Sequence, residues 1–144
     1  DFSADGKRLA ATSFDGALLL FDDASRLANP RRLNRGTAGL YNVRFSPDGA
    51  HLATTGDDGV VALWSWSLGS VDLVFESSQS AVGIAFSKEG DRLAFGDSDR
   101  VRVYRLDYSL AAKSPSALLE EAQREAGMTL DGFTLMPHPP EKAP

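Results

Sequence analysis

The sequence predicts an all-β fold built from repeated four-stranded antiparallel sheets, and two observations carry that prediction. The first is a recurring pentapeptide: Phe2-Ser3-Ala4-Asp5-Gly6, Phe45-Ser46-Pro47-Asp48-Gly49 and Phe86-Ser87-Lys88-Glu89-Gly90, at spacings of 43 and 41 residues. Each copy is followed, three residues past its glycine, by the same dipeptide, Leu9-Ala10, Leu52-Ala53 and Leu93-Ala94, so the likeness extends beyond one turn and marks an internal repeat. The second is the alternation of short apolar runs with turn residues at strand spacing throughout each unit.

The elements follow in order in the middle copy. Leu40 to Ser46 is rich in apolar and aromatic residues and reads as a first strand. Pro47-Asp48-Gly49 then turns the chain: proline presets φ, aspartate bonds nearby backbone and glycine accepts positive φ. His51 to Thr55 is a second strand, Gly56-Asp57-Asp58-Gly59 a tight hairpin, and Val60 to Trp64 a third strand. After a turn at Leu68-Gly69-Ser70, Val71 to Phe75 forms the fourth. Residues on both faces of these strands are apolar or small, as a sheet stacked between two others requires. The first copy has Asp15-Gly16 and Leu18 to Phe21 at the corresponding places; the third has Asp97-Ser98-Asp99 and Val101-Arg102-Val103-Tyr104, one residue shorter. The three units are bounded at 1–33, 34–75 and 76–109.

A repeat of just over forty residues, a Ser-Pro-Asp-Gly turn, an Asp-Asp-Gly hairpin and Trp64 closing the third strand resemble the WD-repeat β-propeller family. The resemblance implies that each unit is one propeller blade and that the chain works by binding other proteins. The Gly-His dipeptide expected near Arg35-Gly36 and near Glu76-Ser77 is absent, and the Trp-Asp dipeptide is replaced by Phe21-Asp22, Trp64-Ser65 and Tyr104-Arg105. The family's buried Asp-His-Ser/Thr-Trp hydrogen-bond chain is therefore incomplete in every blade, which lowers blade stability by about 1 kcal/mol per lost bond.

Propellers usually close with four to eight blades, so three imply further blades upstream in a longer protein, with Asp1-Phe2 lying inside a first strand. In the tail, 110–136, Ser114 and Ser116 are N-cap candidates, Pro115 suits a first turn, and Leu118, Leu119, Ala122 and Ala126 share a helical face that ends at Gly127. A short strand, Met128 to Leu135, interrupted by the Asp131-Gly132 turn signal, follows this capping helix, and a mobile Pro-rich stretch, 137–144, ends the chain. The Gly-Met-Thr-Leu-Asp-Gly-Phe run looks like the extension that follows propellers in large bacterial signalling proteins.

Composition narrows the function. The chain has 144 residues, with 15 Lys and Arg against 20 Asp and Glu, a formal charge of −5, and no cysteine. The acidic balance argues against nucleic acid and anionic membrane as partners, because both need clustered cations. No disulfide, thiolate zinc site or cysteine nucleophile can form, which fits a cytoplasmic setting. The longest apolar run, Ala17 to Phe21, is far below the roughly 18 residues of a membrane span.

Catalytic chemistry is sparse. His51 is read as a solvated strand residue, matching Arg8 and Arg92 of the other copies, and His138 as a surface residue among prolines. No His-Glu-x-x-His, Gly-x-Ser-x-Gly or phosphate-cradling glycine loop occurs. Asp57-Asp58 and Asp97 with Asp99 have calcium-type chemistry, but their recurrence at hairpins is what tight turns require. No cofactor is expected. The competing class is a propeller hydrolase or lyase with its site at the channel mouth.

What remains is recognition by the loops that a propeller raises on one face. These are Phe14, Asp57 and Ser98 at the hairpins, with Arg35, Tyr41 and Gln79 near the connections between blades. Phe14 stands out because an aromatic at a turn tip gains nothing there unless something covers it. The expected role is a non-catalytic interaction scaffold or sensor in the C-terminal part of a larger protein. If the missing blades lie upstream, the 144-residue chain should show no defined oligomer on size exclusion; a discrete soluble oligomer would mean that copies of it complete the ring.

Overall fold

The computed structural model describes residues 1–77, 79–108, 128–131 and 134–137. The chain divides into two compact units, Asp1–Leu106 and Asp107–Pro144. The first contains three antiparallel sheets. Sheet 1 comprises β1 (Leu9–Thr12), β2 (Ala17–Phe21) and β3 (Arg31–Asn34); sheet 2 comprises β4 (Leu40–Phe45), β5 (His51–Gly56), β6 (Val60–Ser65) and β7 (Val71–Glu76); sheet 3 comprises β8 (Gly83–Phe86), β9 (Arg92–Gly96) and β10 (Val101–Arg105). Each sheet is a simple meander in chain order, as hairpin connections demand. The middle repeat gives the four strands expected of it. In sheet 1 the place of a first strand is taken only by Asp1 and Phe2: the Asp1 main chain exchanges bonds of 2.8 and 2.9 Å with Ala10, and Phe2 bridges Leu9.

The recurring pentapeptide has a common physical basis. In the first two copies the serine hydroxyl donates to the turn aspartate, Ser3 to Asp5 and Ser46 to Asp48, both at 2.6 Å. In return it accepts the N–H of the residue five positions on, Arg8 or His51, at 2.9 Å. The third copy has Glu89 where the others have aspartate, and Ser87 donates instead to Asp91 while accepting from Arg92 N–H at 3.0 Å. A serine hydroxyl, buried in the first two copies and half-buried in the third, thus satisfies backbone that the tight turn leaves unpaired.

The main core lies between sheets 1 and 2, where Leu18, Leu20, Leu40, Val43, Phe45, Leu52, Trp64 and Trp66 pack together. Inside it Trp64 Nε1 donates to Thr54 Oγ1 at 2.9 Å, so the tryptophan–threonine link of the incomplete family network is made in this blade. Sheets 2 and 3 meet through aromatic rings: Phe75 lies 4.7 Å from Tyr104 and 6.1 Å from Phe95, within the favourable range for ring pairs. On β10, Val101 and Val103 are exposed.

Two sequence expectations need correction. His51 is not solvated: its side chain is 17 % exposed and its Nε2 lies 3.6 Å from Asp72. The register between β6 and β7 shifts so that Leu73 faces Leu63 and Val71 faces Trp64, leaving Asp72 as the extra residue of a bulge whose carboxylate meets the imidazole. Its counterpart Arg8 is no free surface cation either; its guanidinium sits 4.8 Å from the Trp66 ring centre and 5.6 Å from that of Phe45. In the second unit, the single short strand expected over 128–135 is a hairpin, with β11 (Met128–Asp131) paired to β12 (Thr134–Pro137). Asp131, the first residue of that turn signal, ends β11 and pairs with Thr134, which opens β12. The capping helix expected over 114–127, its caps and His138 lie outside the described residues.

One glycine tests how tightly the blades are tied. Gly59 has φ +75°, and a Cβ there would lie 2.7 Å from the Ser77 carbonyl oxygen and 2.8 Å from that of Gln79. Gly83 has open space around it. Gly59→Ala should destabilise the chain by more than about 1 kcal/mol, while Gly83→Ala should be neutral or slightly stabilising. Urea denaturation midpoints of the two variants check this.

Candidate partner-binding face

Three corresponding hairpins, at 13–16, 56–59 and 97–100, join β1 to β2, β5 to β6 and β9 to β10. The connections between sheets, at 35–39 and at 77 and 79–82, pack against them. Ser13 C=O accepts from Leu40 N–H at 3.1 Å, and Gly39 C=O accepts from Asp57 N–H at 2.9 Å. One repeat later, Gly59 C=O accepts from Ser77 N–H at 2.8 Å, and Gly56 C=O accepts from Ala81 N–H at 3.3 Å. Backbone bonds therefore stitch each hairpin to the loop beside it and fix the tips relative to one another.

Side chains complete the stitching. Tyr41 Oη donates to Asp57 Oδ1 at 2.6 Å, and Ser80 Oγ donates to the same carboxylate at 3.0 Å. Arg35 pairs with Asp58, and Ser98 donates to Gln79. Arg32 pairs with Asp15 at 2.7 Å, and Asp97, its side chain fully covered, is held by Ser77 and Arg102. Phe14 is 80 % exposed at its hairpin tip and meets the Tyr41 ring edge-on, centroids 5.9 Å apart.

The six residues singled out from sequence thus fall into three contacts across sheet boundaries. Phe14 with Tyr41 and Asp57 spans sheets 1 and 2, Arg35 joins the first connection to Asp58, and Gln79 joins the second connection to Ser98. Two further contributors, Asp58 and Asp97, were read from the sequence only as turn residues, and Ser80 was not singled out at all. Asp58 carried a signal, since it recurs with Asp15; Ser80, in an unremarkable polar run, carried none.

The electrostatics follow from these bonds. The Tyr41 phenol and the Ser80 hydroxyl hold the Asp57 carboxyl below its ordinary value, and the same bond pushes the Tyr41 phenol up. Arg32, then Ser13, lowers Asp15. Ser77 and Arg102 hold Asp97 far below the usual carboxylate range. Among the described residues, no group of three or more His, Cys, Asp or Glu side chains is placed to hold a metal ion. The face is a set of fixed, ionised and hydrogen-bonded groups around one bare aromatic ring.

Comparison with known proteins places this architecture. Residues 30–65, from just before β3 to the end of β6, match the family profile described as "WD domain, G-beta repeat". The chain carries WD40 repeats. It is 32 % identical over 110 residues to "Telomerase protein component 1" of Rattus norvegicus, a match covering 73 % of this chain and 4 % of that protein. It is 28 % identical over 93 residues to "Protein HIR1" of Eremothecium gossypii, covering 53 % and 11 %. To "WD repeat-containing protein 1" of Mus musculus it is 29 % identical over 76 residues, covering 51 % and 12 %. The WD40 chain therefore spans only a small part of the length of these relatives. WD40 repeats are usually non-catalytic, and WD40 domains generally bind proteins.

The buried Asp97 gives the WD40 chain a signature in acid. Its carboxyl has an ordinary value of 3.8 and a lower one in the folded state, so the pair with Arg102 stabilises the fold above that pH and the contribution is lost as pH falls through the folded value. Asp97→Asn should be less stable than the parent at neutral pH, and the gap should close as pH is lowered below 3.8. Guanidinium denaturation of both proteins from pH 7 downward measures it; a gap independent of pH would assign the loss to packing alone.

Proposed function

We propose that this WD40 chain is a non-catalytic protein-interaction module, and that the face carrying the three hairpins is where its partner docks. The observation that carries this reading is Phe14, 80 % exposed at a hairpin tip whose neighbours are all tied into bonds. Aromatic side chains dominate interface energetics because they bury a large area at small entropic cost. Around Phe14, the Tyr41–Asp57, Arg35–Asp58 and Gln79–Ser98 contacts hold the loops in one arrangement, so docking loses little ordering entropy. The partner is a protein, or an upstream domain of the same longer chain that also supplies further blades.

The setting we propose is a larger cytoplasmic WD-repeat protein. The small share of each relative that the chain spans, and Val101 and Val103 lying open on β10, support a larger ring. The 127–133 run, Gly-Met-Thr-Leu-Asp-Gly-Phe, is the support for a bacterial-type signalling protein.

A photo-reactive phenylalanine analogue at position 14 should crosslink a discrete protein in cells, whereas the same analogue at Leu68, equally exposed at the β6–β7 turn, should not. Phe14→Ala should then weaken binding of that protein by about 2 kcal/mol, roughly 30-fold, with the melting temperature unchanged. Unchanged binding with a lowered melting temperature would instead make Phe14 a packing residue of its own sheet.

A further inference from the structure

The carboxylates of the hairpin face are not equivalent. Asp15 is paired with Arg32, Asp58 with Arg35, Asp97 with Arg102 and Asp99 with Arg100. Asp57 instead accepts only from hydroxyls, those of Tyr41 and Ser80, and among the described residues no Lys or Arg lies within ion-pair distance of it. Both hydroxyl bonds favour its charged form, so a full negative charge stands at the tip of the second hairpin without a cation to match it.

This charge adjoins an aromatic surface. Tyr41, whose hydroxyl anchors Asp57, also meets Phe14 through its ring. Gly39 touches the other two: its carbonyl accepts the Asp57 N–H, and a Cβ on it would lie 3.2 Å from the Phe14 ring. A lysine or arginine has the matching chemistry, an aliphatic stem or planar head that lies over an aromatic face and a positive end that bonds a carboxylate. An acidic chain of net charge −5 also favours the approach of a basic segment over an acidic one.

We infer that Phe14, Tyr41 and Asp57 form a notch that receives a lysine or arginine side chain from a basic segment of the protein partner. This rests on the reading of the hairpin face as the docking surface and names the chemistry that the partner brings. Phe14 offers the face, Asp57 the counter-charge, and Tyr41 sets the two side by side.

The test is a nitrogen-15 NMR titration of the 144-residue chain with capped Gly-Lys-Gly and Gly-Arg-Gly peptides, and with the norleucine and glutamate versions as uncharged and acidic probes. A basic probe should give saturable shifts centred on the amides of Phe14, Gly39 and Asp57, with millimolar affinity. Asp57→Asn keeps an acceptor for Tyr41 and Ser80 but removes the charge, and it should weaken this binding about tenfold. Glu89→Gln, the same charge change in the exposed turn before β9, should leave it intact. Phe14→Leu, which keeps an apolar side chain without the ring, should weaken it as well. Binding that is unaffected by Asp57→Asn, or no saturable shift with either basic probe, would overturn the inference. If the norleucine probe binds as well as lysine at the same amides and Phe14→Leu abolishes it, the docking face stands and the cation notch falls. If no probe moves these amides while crosslinking at position 14 still captures a protein, the notch again falls and the face survives.

Discussion

The hairpin glycines are where the sheets are held to one another. Gly16 and Gly59 both adopt positive φ, and carbonyl oxygens of the connection that leaves the same sheet come so close that a side chain would collide with them. Because the glycine has no Cβ, the connection can lie directly on the hairpin and exchange backbone bonds with it. Those bonds fix the start of the next sheet, and through it the position of the next hairpin. Remove the close approach and the strands could still pair within each sheet, but the tips would lose their common frame.

Two β-bulges then decide which side chains that frame presents. In β4 the register shifts between Leu40 and Asn42, so Tyr41 is the unpaired residue, and its phenol reaches the Asp57 carboxylate in the β5–β6 hairpin of the same sheet. In β7 the extra residue is Asp72, which turns toward His51. A bulge adds one residue to one strand and re-aims its side chain while the ladder on either side continues. In this chain both bulged residues carry polar side chains that end in contact with another element, so the irregularity joins elements as well as bending a strand.

The energetics of the face suit display rather than chemistry. Its charges are spread over turns that differ in sequence, and nearly every one is matched by an arginine or a hydroxyl. Exposed ion pairs of this kind contribute little stability each, but they settle which groups are left to face solvent. The buried parts do the stabilising: the apolar core between the first two sheets, with Trp64 hydrogen-bonded to Thr54 inside it, and the Phe75, Phe95 and Tyr104 rings between the second and third. Rigid scaffold and variable tips are then separate problems, which lets one repeat carry many recognition chemistries.

The four strands of the middle repeat, the serine-centred turns and the hairpin positions were legible in the sequence to within a residue or two. They depend on local patterns, alternating apolar residues and turn residues at fixed offsets, that a repeat displays more than once. The strand Arg31–Asn34 was hidden, because its charged and polar residues carry no apolar pattern and it forms by pairing to β2. His51 was misjudged and the Tyr41–Asp57 bond unseen for a shared reason: each depends on a register shift, and register is settled between strands rather than along one. The sequence by itself determined that this chain is an array of β-sheet repeats with acidic hairpins and an aromatic at one tip. Only the tertiary structure decided that Phe14 would meet Tyr41 and, through it, the Asp57 carboxylate, because packing between the first two sheets brings residue 14 to 41 and the fold of the second sheet brings 41 to 57.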